Sequence, residues 1–136
     1  LILFDASVLV QAFRSDAPQH DHCKDRVESA LKGSQAYGVS PAILGLVVHI
    51  CTHPHIFIRP SARTEVLRFC RSLLESPNAR IITPSQEHWS TFESVCEAFD
   101  VTGNGVQMAW FVALAIESEC EWVTTDPGYS RFKEIM

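Results

Sequence analysis

Apolar residues fall along this chain in short dense runs separated by longer stretches with helical spacing. Leu1 to Phe4 is an unbroken apolar run, as expected of a strand covered on both faces. Ser7 to Phe13 predicts a helix that Asp16-Ala17-Pro18 breaks. From Gln19 to Lys32, residues Cys23, Val27, Ala30 and Leu31 keep helical spacing, with Gly33 as the stop. Ala36 to Val39 predicts another strand. Ser40-Pro41 then supplies an N-cap with proline at the first helical position. The helix so opened runs to about Cys51 and ends at His53-Pro54. It is apolar nearly all round, so burial is expected.

Val66, Phe69, Cys70, Leu73 and Leu74 form an i, i+3, i+4, i+7, i+8 stripe, an amphipathic helix. Ile81-Ile82 reads as a short strand. Thr83-Pro84-Ser85-Gln86 reads as a capping box, opening a helix with Trp89, Phe92, Cys96 and Phe99 on one face. Gly103-Asn104-Gly105 is a loop, and Val106 to Ile116 is a second nearly all-apolar helix. Trp122 to Thr125 predicts the closing strand, which Pro127-Gly128 turns over. Strands alternate with helices and no linker or repeat appears. The expectation is therefore a single domain over residues 1–136, a three-layer α/β/α sandwich around a short parallel sheet.

Composition agrees with a folded domain: of 136 residues, 46% are hydrophobic and 20% charged. No apolar run reaches the roughly 18 residues of a membrane span. The apolar start carries Asp5 and lacks a basic flank, so it does not read as a signal peptide. The net charge of −5 argues against strong non-specific gripping of nucleic acid. The densest basic group is Arg59, Arg63, Arg68 and Arg71, expected to form a solvated face paired with Glu65 and Glu75. Five widely spaced cysteines without a C-x-x-C read as reduced buried thiols, and a cytoplasmic location is the expectation.

Chemistry is concentrated at two strand ends. Asp5 follows Leu1–Phe4 and Asp126 follows Trp122–Thr125. Ligands of open parallel sheets bind outside the carboxyl ends of the strands. Two carboxylates there can share a hard cation such as Mg²⁺ or Mn²⁺, or they can cap the turns that follow. The Ser7 and Thr125 hydroxyls either hold ligand waters or tie down their own turns.

Several segments in order resemble the PIN domain, in particular the VapC-type toxins of bacterial toxin–antitoxin pairs. Leu3-Phe4-Asp5-Ala6-Ser7 is similar to the family's opening strand and first catalytic aspartate. Thr52-His53-Pro54-His55-Ile56-Phe57 is similar to its T-H-P-x-x-F segment. Ala113-Leu114-Ala115-Ile116-Glu117, Thr124-Thr125-Asp126 and Tyr129-Ser130-Arg131-Phe132 match its A-L-A-I-E, T-T-D and aromatic-x-R-F segments. The resemblance implies a Mg²⁺- or Mn²⁺-dependent endoribonuclease fold, an antitoxin protein as partner, RNA as a further possible partner, and a homodimer.

The chain departs from that pattern at three acidic positions. Counted from the neighbouring segments, these fall on Leu46, Met108 and Gly128. Asp5 and Asp126 remain as the candidate catalytic and metal residues. His49, where the family often has arginine, is an accessory candidate in a helix expected to be buried. Glu117 lies nine residues past Met108, on the opposite face of the helix. Asp100 is the least implausible substitute acid. His20-Asp21-His22 and His53-Pro54-His55 read as surface or loop histidines. Trp110 and Phe111 read as packing, with base stacking as the alternative.

Three functions are consistent with this sequence. One is a ribonuclease with weakened or lost activity. A second is a catalytically inactive PIN domain acting by binding RNA, an antitoxin or a paralogue. A third is a flavodoxin-like regulatory domain, and strand order separates it from the first two.

Overall fold

A computed structural model describes residues 1–133 of the chain. Four three-residue strands, β1 (Ile2–Phe4), β2 (Tyr37–Val39), β3 (Ala79–Ile81) and β4 (Glu121–Val123), form one parallel sheet in the order β3-β2-β1-β4. The chain steps outward from β1 to β3 and then returns past β1 to lay down β4 on its other side. The direction of winding therefore reverses between β1 and β4, and the crevice beyond their carboxyl ends is the topological switch point. A flavodoxin-like sheet has β1 between β2 and β3. Here β1 lies between β2 and β4, which removes that reading.

The helices are α1 (Ala6–Phe13), α2 (His20–Lys32), α3 (Pro41–Thr52), α4 (Arg63–Glu75), α5 (His88–Ala98) and α6 (Gly105–Glu117), followed by a 3-10 helix at Pro127–Phe132. They make the expected α/β sandwich. One apolar cluster joins the sheet to α1–α4 through residues such as Leu3, Leu9, Ile43, Val47 and Val66. A second unites α5, α6 and the 3-10 helix through Phe92, Val95, Val112, Tyr129 and Phe132. Trp110 and Trp122 pack against both clusters, so the two halves share one interior. Among the described residues no helix is long and apolar enough to cross a membrane.

Several expectations need correction. Helix α3 has its predicted cap, with the Ser40 hydroxyl accepting from the Ile43 amide at 3.3 Å and Pro41 at the start. It is not buried all round, however. Ile43, Leu44, Val47 and Cys51 face the core, whereas Ala42, Gly45 and His49 are exposed. Gly45 and Ala42 have little apolar surface to hide, so this face stays in water at small cost.

The capping box at Thr83–Gln86 does not form. Helix α5 begins at His88, and Glu87 caps it without a side-chain bond. The Ser85 amide and hydroxyl donate instead to the two Glu117 carboxylate oxygens, at 3.0 and 3.3 Å. A tertiary acceptor has displaced the local one. Trp89 is 60% exposed rather than part of the packed face. Strand β3 starts at Ala79, two residues before the predicted run.

Arg59, Arg63, Arg68 and Arg71 are exposed, but the ion pairs with Glu65 and Glu75 are absent. Among the described residues the pairs are Arg14–Asp16, Lys32–Glu28 and His88–Glu117. The five cysteines are free, four of them buried, and burial pushes the Cys51 thiol up to about 11.

The T-H-P-x-x-F segment has a structural reason. Arg14 is buried at the end of α1, and its guanidinium lies 3.7 Å over the Phe57 ring. The same group forks onto Asp16 and donates to the Arg59 carbonyl at 2.8 Å and the Ser61 hydroxyl at 3.0 Å. One arginine thus fastens the loop after α3 to the end of α1.

Candidate active site

Asp5 and Asp126 meet at the switch point as expected, and the sheet register brings them there. Phe4 is paired with Val123, and the Asp5 amide donates to the Val123 carbonyl at 2.9 Å. The chain diverges immediately beyond, into α1 on one side and the 3-10 helix on the other.

The two carboxylates have different roles. Asp126 is a cap: its Oδ1 accepts from the Gly128 amide at 2.8 Å, at the start of the 3-10 helix where Pro127 follows it. Asp5 stands at the N-cap position of α1 but makes no side-chain cap bond. Its Oδ2 accepts two hydroxyls instead, from Thr124 at 2.7 Å and Ser7 at 2.8 Å. Only 5% of Asp5 is exposed. Burial pushes its carboxyl above the ordinary carboxylate value. The Thr124 and Ser7 hydroxyls pull it back in part, and the nearby Asp126 charge adds to the rise.

Ser7 ties its own turn through Asp5 and also joins the two strand ends, and Thr125 bonds across to α1. The Ser7 hydroxyl accepts from the Thr125 amide at 3.1 Å, and the Thr125 hydroxyl accepts from the Gln11 amide group at 2.9 Å. Thr124 was missed as a site residue, although it lies inside the T-T-D segment. Its hydroxyl donates to Asp5 and accepts from the Asp126 amide at 3.0 Å, so it joins both aspartates. Tyr129 is a second omission. It is buried against Trp122, ring centroids 5.2 Å apart, and burial with the Asp5 and Asp126 charges pushes its phenol up.

The remaining candidates do not join this pair. His49 is exposed, its ring edge-on to His53 with centroids 5.2 Å apart, so it is no buried base. Glu117 is committed to Ser85 and to His88, whose Nδ1 lies 3.2 Å from its carboxylate. Asp100 is exposed in left-handed backbone, with φ of 49°. Trp110 is packed between His88, at 4.1 Å, and Phe92, at 5.1 Å, rather than presented to a base. Leu46 is half-buried against the larger core cluster. Met108 is half-buried and packs on Gly128: a Cβ built on Gly128 would lie 2.4 Å from the Met108 methyl and 3.1 Å from Asp126 Oδ1.

The divalent ion that the sequence suggests needs several oxygen donors. Among the described residues no three His, Cys, Asp or Glu side chains gather into a metal-binding group. Asp5 Oδ2 already accepts two hydroxyls and Asp126 Oδ1 one amide. Met108 supplies a thioether, a soft donor, where Mg²⁺ or Mn²⁺ wants oxygen. The donor set does not fit a preformed carboxylate cage.

Comparison with known proteins agrees with the fold. The PIN domain family model matches residues 2–135. Ribonuclease VapC43 of Mycobacterium tuberculosis is 25% identical over 135 residues, covering 99% of this chain and 92% of that protein. Ribonuclease VapC31 of the same species is also 25% identical over 135 residues, covering 99% and 95%. The crystal structure of Mycobacterium tuberculosis VapC20, described as a Sarcin-Ricin loop cleaving toxin, superposes with a TM-score of 0.68 at 12% identity, covering 98% of this chain and 95% of that one. With the family model matching residues 2–135 of its 136, this chain belongs to the PIN domain family.

Proposed function

We propose that this chain is a VapC-type member of a toxin–antitoxin pair in which metal-dependent RNA cleavage is weak or lost. One observation carries the reading: among the described residues no three metal-ligating side chains gather beside Asp5 and Asp126, and Leu46, Met108 and Gly128, which the resemblance counts onto the family's other acidic positions, bring no acid. A single ion held between Asp5 and Asp126 is the most such a pair offers, since Mg²⁺ uses one or two carboxylates together with waters and substrate phosphates.

The second reading, a binding protein without chemistry, is favoured by Met108, an apolar side chain packed on Gly128 next to Asp126. Its partners would be RNA, an antitoxin or an active paralogue, and a homodimer is proposed in either case. An antitoxin that reaches the crevice with a basic side chain meets few carboxylates here, so the reading entails weaker or differently placed binding.

The test is cleavage of a panel of structured RNAs, including a sarcin–ricin-type stem-loop, in Mg²⁺ and in Mn²⁺. Asp5→Ala is purified in parallel. Equal background in both proteins supports loss of catalysis. Strong cleavage by the wild type, abolished by Asp5→Ala, would overturn the proposal.

A further inference from the structure

Gly128 is a glycine without a backbone reason to be one. Among the described glycines only Gly103 has positive φ, at 58°. Gly128 has an ordinary conformation that any residue adopts, and its amide is already bonded to Asp126 Oδ1. What excludes a side chain is space. The nearest obstacles to a Cβ at 128 are the Met108 methyl at 2.4 Å, Asp126 Oδ1 at 3.1 Å and the Met108 sulfur at 3.3 Å. Real Cβ contacts do not come so close as the first of these, so Met108 and a side chain at 128 compete for one volume.

We propose that Met108 is a plug: its thioether fills the seat beside Asp126 that a second carboxylate and its cation would need, and it disfavours any side chain at 128. This rests on the reading of the crevice as a depleted metal site and states how it is depleted. The two acidic positions are not independently lost. While methionine stands at 108, a carboxylate at 128 is crowded by the methyl and brought against Asp126 with like charge and no cation between them. The cost of an acid at 128 is therefore conditional on residue 108. Methionine suits this place because its flexible unbranched chain and polarisable sulfur fill irregular gaps. The same flexibility lets it yield partly, so the competition shows as coupling between the positions, not as an absolute block.

The experiment is a double-mutant cycle read by melting temperature without metal and by Mn²⁺ binding, followed by electron paramagnetic resonance of the free ion. The proteins are the wild type, Met108→Asp, Gly128→Asp, Met108→Asp/Gly128→Asp and Met108→Ala/Gly128→Asp. Gly128→Asp alone is expected to melt below the wild type and gain no Mn²⁺ affinity. Met108→Ala/Gly128→Asp is expected to recover part of that lost melting temperature. Met108→Asp/Gly128→Asp is expected to bind Mn²⁺ at least about tenfold more tightly than either single variant, since added ligand charge raises affinity for hard cations. Purely additive melting temperatures, or equal Mn²⁺ affinity in Gly128→Asp and in the double acid, would overturn the proposal.

Should the acidic variants fail to fold, Gly128→Ala, Met108→Ala and their combination test the same competition with one methyl group. The loss in Gly128→Ala must shrink when Met108 is truncated, and an unchanged loss is contrary. RNA cleavage by the wild type through Asp5 would refute the proposed loss of activity while leaving this coupling intact. The two claims therefore fail separately.

Discussion

Thr124→Val removes a hydroxyl while keeping the shape of the side chain. The Thr124 hydroxyl donates to Asp5 Oδ2 at 2.7 Å and accepts from the Asp126 amide at 3.0 Å. A hydrogen bond to an ionised group contributes about 1.5–3 kcal/mol, and Asp5 is too buried for water to replace the donor. The Asp126 amide lies in a half-buried segment, where water makes up part of its loss. A destabilisation of about 2–3 kcal/mol at neutral pH follows.

The effect has a defined pH dependence. Asp5 has a folded-state pKa raised above its unfolded value of 3.8. Between those two values the folded state holds a proton that the unfolded state has released, so stability falls as pH rises through the window. Thr124 favours the ionised form, and its removal raises the folded pKa further. The difference between variant and wild type is therefore largest above the raised pKa of the variant. It shrinks as pH falls through the raised folded-state values, as Asp5 takes up its proton in both folded proteins. Urea denaturation at a series of pH values measures this directly. A ΔΔG of the same size at every pH, or below about 0.5 kcal/mol at neutral pH, would refute the assignment of Thr124 as the donor that holds Asp5 ionised.

Arg14→Ala should destabilise the protein by about 2–3 kcal/mol in urea denaturation, from the lost bonds to the Arg59 carbonyl and Ser61 and the lost contact with Phe57. Arg14→Lys should recover only part of this, because an ammonium cannot reproduce the planar fork; full recovery would show that charge alone matters. Glu117→Ala removes the acceptor for Ser85 and the partner of buried His88, and a loss of about 1–2 kcal/mol with faster amide exchange at the start of α5 is expected. Unchanged exchange there would mean that α5 is held by packing alone.

The anchoring segments were legible in the sequence, and so was the order of strands and helices. Leu1–Phe4 and Trp122–Thr125 carry enough local apolar pattern to mark strands, although β4 runs Glu121–Val123 and stops short of Thr124, and Ser40-Pro41 marks a helix start by chemistry within three residues. Asp5 and Asp126 were identifiable because strand-end acids in a parallel sheet have few places to go. The absence of acid at 46, 108 and 128 was equally visible, since it depends only on residue identity.

Tertiary structure decided the rest, because the deciding contacts join residues far apart in the chain. The expected Thr83–Gln86 box gives way to a bond from Ser85 to Glu117, a carboxylate 32 residues away. His49 is turned to water although its helix is apolar, since only packing selects which face is covered. Thr124 becomes the link between two aspartates through a bond spanning 119 residues. That Asp126 caps its own turn while Asp5 is buried and charge-strained follows from what surrounds each carboxylate, not from its identity. The same holds for Met108 and Gly128. Their residue types state only that neither is an acid, and only the fold states that they meet beside Asp126.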